Sequence, residues 1–344
     1  MFPEVIPAML KHNQSVMLST IPMGLTTITN YTILVLVPTH SWALELAYVL
    51  WWIEFCLTIL SIIGIPFCMM LYQEYRIETM NGSWLLPLVP AVVTGASGCY
   101  LSRFLETDGH RAIMILTISA ITLGCGLSLA FPVIGIYFYR LVVHSVPGED
   151  VIITSFLPVG PLGQGTYGII QLGWACQKVI GDNYGPGFGN SAFTFCMISA
   201  FFLWGYGLWY LCFALISVSV RSRSRVPFNM GWWALTFPLG VFTAGTLNIA
   251  IATDSTFFRV LASIFVCCLV IIWICVTART FKQAYSGKIF NAPCLHEYHI
   301  NGDISNTEMQ ECNDSNSHVN DPFVPLSSNC RQNTRERNLP NSVK

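Results

Sequence analysis

TFPLGVFTAGT, residues 236–246, decides the fold. It lies within a long apolar run, yet it holds a proline, two glycines and three threonines. A proline inside a helix removes a backbone hydrogen bond and costs about 3 kcal/mol, and each glycine adds roughly 1 kcal/mol of unfavourable propensity. Three other stretches share the pattern. Pro22 and Gly24 end the stretch TIPMG, Pro158 and Gly160 end LPVG, and Pro90 stands in LVPAVVTG with Gly95 and Gly98 behind it. With Pro238 and Gly240, the prolines at 22, 90, 158 and 238 are spaced by 68, 68 and 80 residues, the length of one helical hairpin. The spacing predicts four tandem hairpins, each with an interrupted first helix and a more regular second one. Pro66 and Pro132 also interrupt the second helices of the first two hairpins.

The surrounding chain fits a membrane. Of its 344 residues 53% are hydrophobic and 10% charged, against about 25% charged in soluble domains. The expected fold is an all-α polytopic membrane protein of tandem hairpins around a central pore. Eight segments reach the roughly 20 apolar residues needed to span a bilayer: 16–37, 42–70, 84–101, 112–139, 151–176, 191–220, 231–252 and 257–281. The expected layout is an N-terminal segment over 1–15, a membrane domain over 16–285, and a polar, mostly disordered tail over 286–344. With both termini in the cytoplasm, nine Lys and Arg fall on the inner side (among them Arg221, Arg223 and Arg225) and four outside: Arg103, Arg111, Lys178 and Arg259. That bias predicts the orientation.

Other functions find little support. No basic stripe points to nucleic acid. Ten of thirteen cysteines lie in apolar runs, and no cysteine–histidine spacing suits a metal. The seven histidines form no paired box and no nucleophile–base pair stands out, so neither a catalytic residue nor a cofactor is expected.

The interruptions have a physical use. Proline and glycine at membrane depth free backbone groups that lipid cannot satisfy, so such helices face protein or a water-filled cavity. Pro22, Gly24, Pro90, Gly95, Pro158, Gly160, Pro238 and Gly240 are therefore expected to line a shared lumen. Hydroxyls from Thr20, Thr26, Thr27, Thr94, Ser97, Thr154, Thr166, Thr236, Thr243 and Thr246, with Gln164, would solvate an anion weakly enough to release it. Phe156, Phe237 and Phe242 lie near the breaks, and Phe237, directly before its proline, is the expected gate. Glu54, near the middle of its helix, is a candidate proton site, since an ionisable group at that depth is costly. Its alternative role is a carboxyl that locks two helices together. Glu45, near a helix end, is expected to reach the interface.

The stretches VPFNMGWWALTFPLGVFTAGT, FLPVGPLGQGTYGI, LWWIEFCLTIL and SGKIFNAPCL resemble the fungal sulfite efflux pumps. These belong to the tellurite-resistance/dicarboxylate transporter family, with yeast malic-acid permeases, bacterial tellurite-resistance proteins and plant slow anion channels. The resemblance runs from Phe2 to Leu295. It implies ten helices in five hairpins, a ring of kinked inner helices, an aromatic gate that maps onto Phe237, and a homotrimer with one pore per subunit. It also implies a hairpin ahead of the four visible here, so this chain alone is expected to fold poorly or fail to transport. The expected function is export of sulfite, bisulfite or a similar small anion across the plasma membrane. The alternatives are a malic-acid or dicarboxylate permease, and an inactive short form that regulates a full-length subunit.

Overall fold

In the computed structural model, Leu10 and residues 13–73, 76–105, 109–149, 151–181, 185–221 and 228–287 are described. The tail from residue 288, the first nine residues and most of the Arg221–Arg225 cluster lie outside them. Among the described residues the regular secondary structure is all helical, in eight principal helices joined by turns. They are α1 (Thr20–Tyr31), α2 (Trp42–Tyr72), α3 (Val89–Ser102), α4 (Gly109–His144), α5 (Val159–Ala175), α6 (Pro186–Arg221), α7 (Trp233–Thr253) and α8 (Thr256–Tyr285). Short connections join them into four antiparallel hairpins.

Odd and even helices differ as the proline spacing predicts. Each odd helix is led by a 3₁₀ turn: Asn13–Ser19, Gly82–Leu85, Ile152–Phe156 and Met230–Trp232. Pro22, Pro90 and Pro158 stand where the chain passes from that turn into the α-helix. The first turn of a helix has no use for their missing N–H, so the ring costs little there. The breaks are thus seams between two helix types at the start of each odd helix, placed nearer one end than the sequence alone implied. Of the four odd-helix prolines only Pro238 stands inside its helix, where it has no N–H to give the carbonyl of Ala234; among the outer helices Pro132 stands inside α4. In α2 a π-helical turn, Leu60–Gly64, comes just before Pro66 and absorbs its ring.

Packing sorts the helices into an inner row and an outer layer. α1 packs on α3, α3 on α5 and α5 on α7, and each even helix covers its odd partner. Every residue of α3 except Tyr100 is buried, whereas α8 buries only Ala262 and Val276. Five helices among the described residues are long and apolar enough to cross a membrane: α2, α4, α6, α8 and α7 with its leading turn. α4 and α6, at 36 residues each, outrun the hydrocarbon core. Their apolar outward side chains, such as Ile121, Phe195 and Phe202, suit lipid.

Small residues let the layers approach, as in other membrane bundles. A Cβ on Gly95 would fall 2.6 Å from the backbone N of Leu123, and one on Gly126 would fall 2.8 Å from that of Val92, so α3 and α4 notch into each other. A Cβ on Gly163 would sit 2.6 Å from Cα of Phe242, and one on Gly245 would sit 2.9 Å from the carbonyl oxygen of Gly163, which joins α5 to α7. All ten described cysteines are unpaired.

Candidate functional site

The starting ends of the odd helices meet in an apolar cluster. Val16 precedes α1, Met23 lies on it, Leu86 leads α3, Val89 and Val93 lie on it, and Leu157 leads α5. Ala234 and Phe237 of α7 pack against this group. One aromatic residue thereby shares a cluster with side chains from all four odd segments. A Cβ on the buried Gly160 would meet Phe237 Cε1 at 3.9 Å and Pro238 Cγ at 3.8 Å. Phe237 itself is only half-buried, so part of its ring borders open space.

The other interruption residues are placed unequally. Pro22, Pro90, Pro158 and Pro238 are all buried in protein. Gly24 is exposed, with nothing within 4 Å of where its Cβ would stand. Gly95 and Gly240, expected to line the lumen, instead turn their Cα toward outer helices. Gly95 seats Leu123 of α4, and a Cβ on Gly240 would meet Leu269 of α8 at 3.6 Å. At Gly95 the reason is steric, since a Cβ there would fall 2.6 Å from the backbone of Leu123, whereas the contact at Gly240 is an ordinary one. Of the other aromatics, Phe242 is fully buried between Trp204 and Phe265 and serves packing.

Most of the expected hydroxyl donors are already committed. Thr26, Thr27, Thr166, Thr243 and Thr246 each lie within hydrogen-bond distance of the carbonyl four residues back. Thr20, Thr154 and Thr236 do the same three residues back. The oxygen of Thr246 also accepts from the indole N–H of Trp204 at 2.9 Å. Such hydroxyls present lone pairs to their surroundings, not hydrogens. The threonines in these helices therefore bond backbone carbonyls more than they solvate an anion.

Glu54 lies on outer helix α2 but points inward and is fully buried. Its Oε1 is 2.5 Å from the Thr26 hydroxyl, which is also 3.0 Å from the Pro22 carbonyl oxygen. One hydroxyl hydrogen cannot serve both acceptors. Among the described residues Glu54 Oε2 is buried without a hydrogen-bond partner. The groups facing the carboxyl, Thr26 and Thr29 from α1 and Thr94 from α3, are all hydroxyls. Trp51 donates to the Thr94 carbonyl at 3.1 Å, and Thr58 and Thr94 share a hydrogen bond of 2.7 Å. Glu45 is exposed and pairs with Arg111 at 3.1 Å.

At the opposite end of the odd helices a polar chain links three of them. Arg103, next after α3, donates from Nη1 to Gln171 Oε1 of α5 at 2.8 Å. Gln171 Nε2 donates to Asn248 Oδ1 of α7 at 3.0 Å, and Asn248 Nδ2 donates to the Ala244 carbonyl at 2.7 Å. On α3 and α1, Ser97 donates to Asn30 at 2.9 Å. Sequence reasoning missed this chain, because single polar residues in three separate apolar runs show no shared spacing.

Residues 1–281 match the family described as voltage-dependent anion channel, SLAC1. The sulfite efflux pump SSU1 of Trichophyton rubrum is 37% identical over 294 residues, covering 84% of this chain and 77% of that protein. The sulfite efflux pump SSU1 of Saccharomyces cerevisiae is 27% identical, covering 82% and 73%. The malic acid transport protein of Schizosaccharomyces pombe is 24% identical, covering 69% and 54%. No solved structure matches the chain. A row of proline-seamed helices under an outer apolar layer, a phenylalanine where those helices converge, and a match across most of the length lead to one assignment: this chain belongs to the SLAC1 voltage-dependent anion channel family.

Proposed function

We propose that this chain exports sulfite, bisulfite or a similar small anion through the space bordered by α1, α3, α5 and α7. The observation that carries the reading is the apolar cluster against which Phe237 packs, which gathers side chains of the four odd segments together with Ile65 and Met69 of α2. An apolar constriction of this kind holds back a hydrated ion until the ring moves or the site wets. The sulfite efflux pumps named above supply the substrate. Phe237 is the gate, and the seams at Pro22, Pro90, Pro158 and Pro238 hold the helices in position around it. Glu54 is the proton site. Ionised, it takes the Thr26 hydrogen; protonated, it gives its own to Thr26, which then bonds the Pro22 carbonyl. The chain works in the plasma membrane with both termini in the cytoplasm, as a homotrimer.

The test is expression in a sulfite-sensitive fungal strain that lacks its own exporter. Restored growth on sulfite, with faster loss of preloaded labelled sulfite, is the expected result of this reading, in place of the failure to transport that the resemblance to a ten-helix fold implied. Unchanged sensitivity with the protein at the cell surface would overturn the proposal. Labelled malate uptake in that case would favour the dicarboxylate reading, which the malic acid transport protein suggests.

A further inference from the structure

Three arginines of the described residues lie at the end where the odd helices finish. Arg111 and Arg259 begin outer helices and are paired with carboxylates, Glu45 and Asp254. Arg103 differs. It follows an inner helix, is half-buried, and has no carboxylate partner among the described residues. Its guanidinium stacks 5.1 Å from the Trp174 ring and 5.8 Å from that of Tyr100. Among the described residues one of its five N–H donors is used, by Gln171, which leaves most of the fork unspent there.

The amide chain behind it runs in one direction. Gln171, 3% exposed, can accept from Arg103 only if its NH₂ faces Asn248, and Asn248 in turn can accept only if its own NH₂ faces the Ala244 carbonyl. Each donor has an acceptor, so the guanidinium is held in plane by Gln171 and by stacking on Trp174. A planar fork with free hydrogens matches a bidentate oxyanion. Half-burial weakens solvent screening of its charge.

We propose that Arg103, held by Gln171 and Trp174, forms a docking site for a small oxyanion at the mouth opposite Phe237. The site captures the anion by charge and releases it into a route whose hydroxyls have few hydrogens to offer. The inference rests on the anion-transport reading for its place in the cycle, but docking is readable without transport.

The experiment uses the purified full chain and follows tryptophan fluorescence while sodium sulfite is added at constant ionic strength, with sodium malate and sodium chloride in parallel. Trp174→Phe identifies the responding ring among the ten tryptophans. The parent responds to sulfite, Trp174→Phe loses that response, and Arg103→Gln raises the half-saturating concentration about tenfold or more, the equivalent of one charge-assisted hydrogen bond. Arg103→Lys falls between. Gln171→Glu keeps the guanidinium anchored but fills its fork with a carboxylate, so it lowers affinity in a folded protein. Equal half-saturation in the parent and in a folded Arg103→Gln or Gln171→Glu protein overturns the site. A malate response without a sulfite response keeps the site and overturns the sulfite substrate. Docking of sulfite without its flux in liposomes keeps the site and overturns the transport reading.

Discussion

Phe237→Ala should open the route. The ring lies beside Gly160 and packs against the cluster that holds Met23, Val93 and Leu157, so its loss opens the place where the odd segments gather. Deleting a phenyl group frees on the order of 100 Å³, room for about three waters at ~30 Å³ each. An anion crossing the dry constriction gives up contacts worth about 2 kcal/mol or more apiece. Regaining one of them lowers the barrier enough for a roughly 30-fold rise in flux. The cost in stability should stay below the ~3–5 kcal/mol of a fully buried Phe→Ala change, because Phe237 is only half-buried. The assay is release of labelled sulfite from proteoliposomes at matched protein content. Phe237→Leu, which keeps an apolar plug, should raise flux less, and Phe237→Trp should not raise it at all. An Ala variant that folds normally and conducts at the parent's rate would show that the constriction lies elsewhere.

Glu54→Gln keeps the shape of the side chain but cannot take up or release a proton, so the pH dependence of flux should flatten while the protein remains folded; a profile identical to the parent's would leave Glu54 as a structural tie between α2 and α1. Gly163→Ala should lower thermal stability, because the new Cβ would stand 2.6 Å from Cα of Phe242 and backbone cannot swing aside. Overpacking of that kind costs about 1–3 kcal/mol, and a melting temperature equal to the parent's would contradict the close α5–α7 approach. Gly24→Ala, with open space around it, is the neutral control.

The hairpin plan was legible because hydropathy and proline spacing are carried by single residues at regular intervals. Pro22, Pro90 and Pro158 announced the odd helices, and the structure put each at the seam of a 3₁₀ turn and an α-helix. What each small residue faces was not legible. Gly95 and Gly160 read alike in sequence, yet one seats α4 and the other lies beside Phe237. That difference depends on helix rotation, which a row of glycines does not encode. The fate of the hydroxyls was hidden for a related reason. Whether a threonine bonds the carbonyl four residues back or a passing anion is decided by its rotamer and its neighbours.

These two failures of legibility together explain how the inner row handles charge. A membrane helix must satisfy its own carbonyls before it can serve a ligand. Thr166, Thr243 and Thr246 bond carbonyls along α5 and α7, which leaves the middle of the row poor in free hydrogens. On the proposed reading Phe237 and its cluster hold back water at the starting end, and Arg103, which gives one hydrogen to Gln171 among the described residues, captures the anion at the finishing end. The two proposals together put attraction and exclusion at opposite ends, with a weakly binding stretch between them. That order suits flux better than strong sites throughout, because an ion held tightly at mid-membrane would not leave.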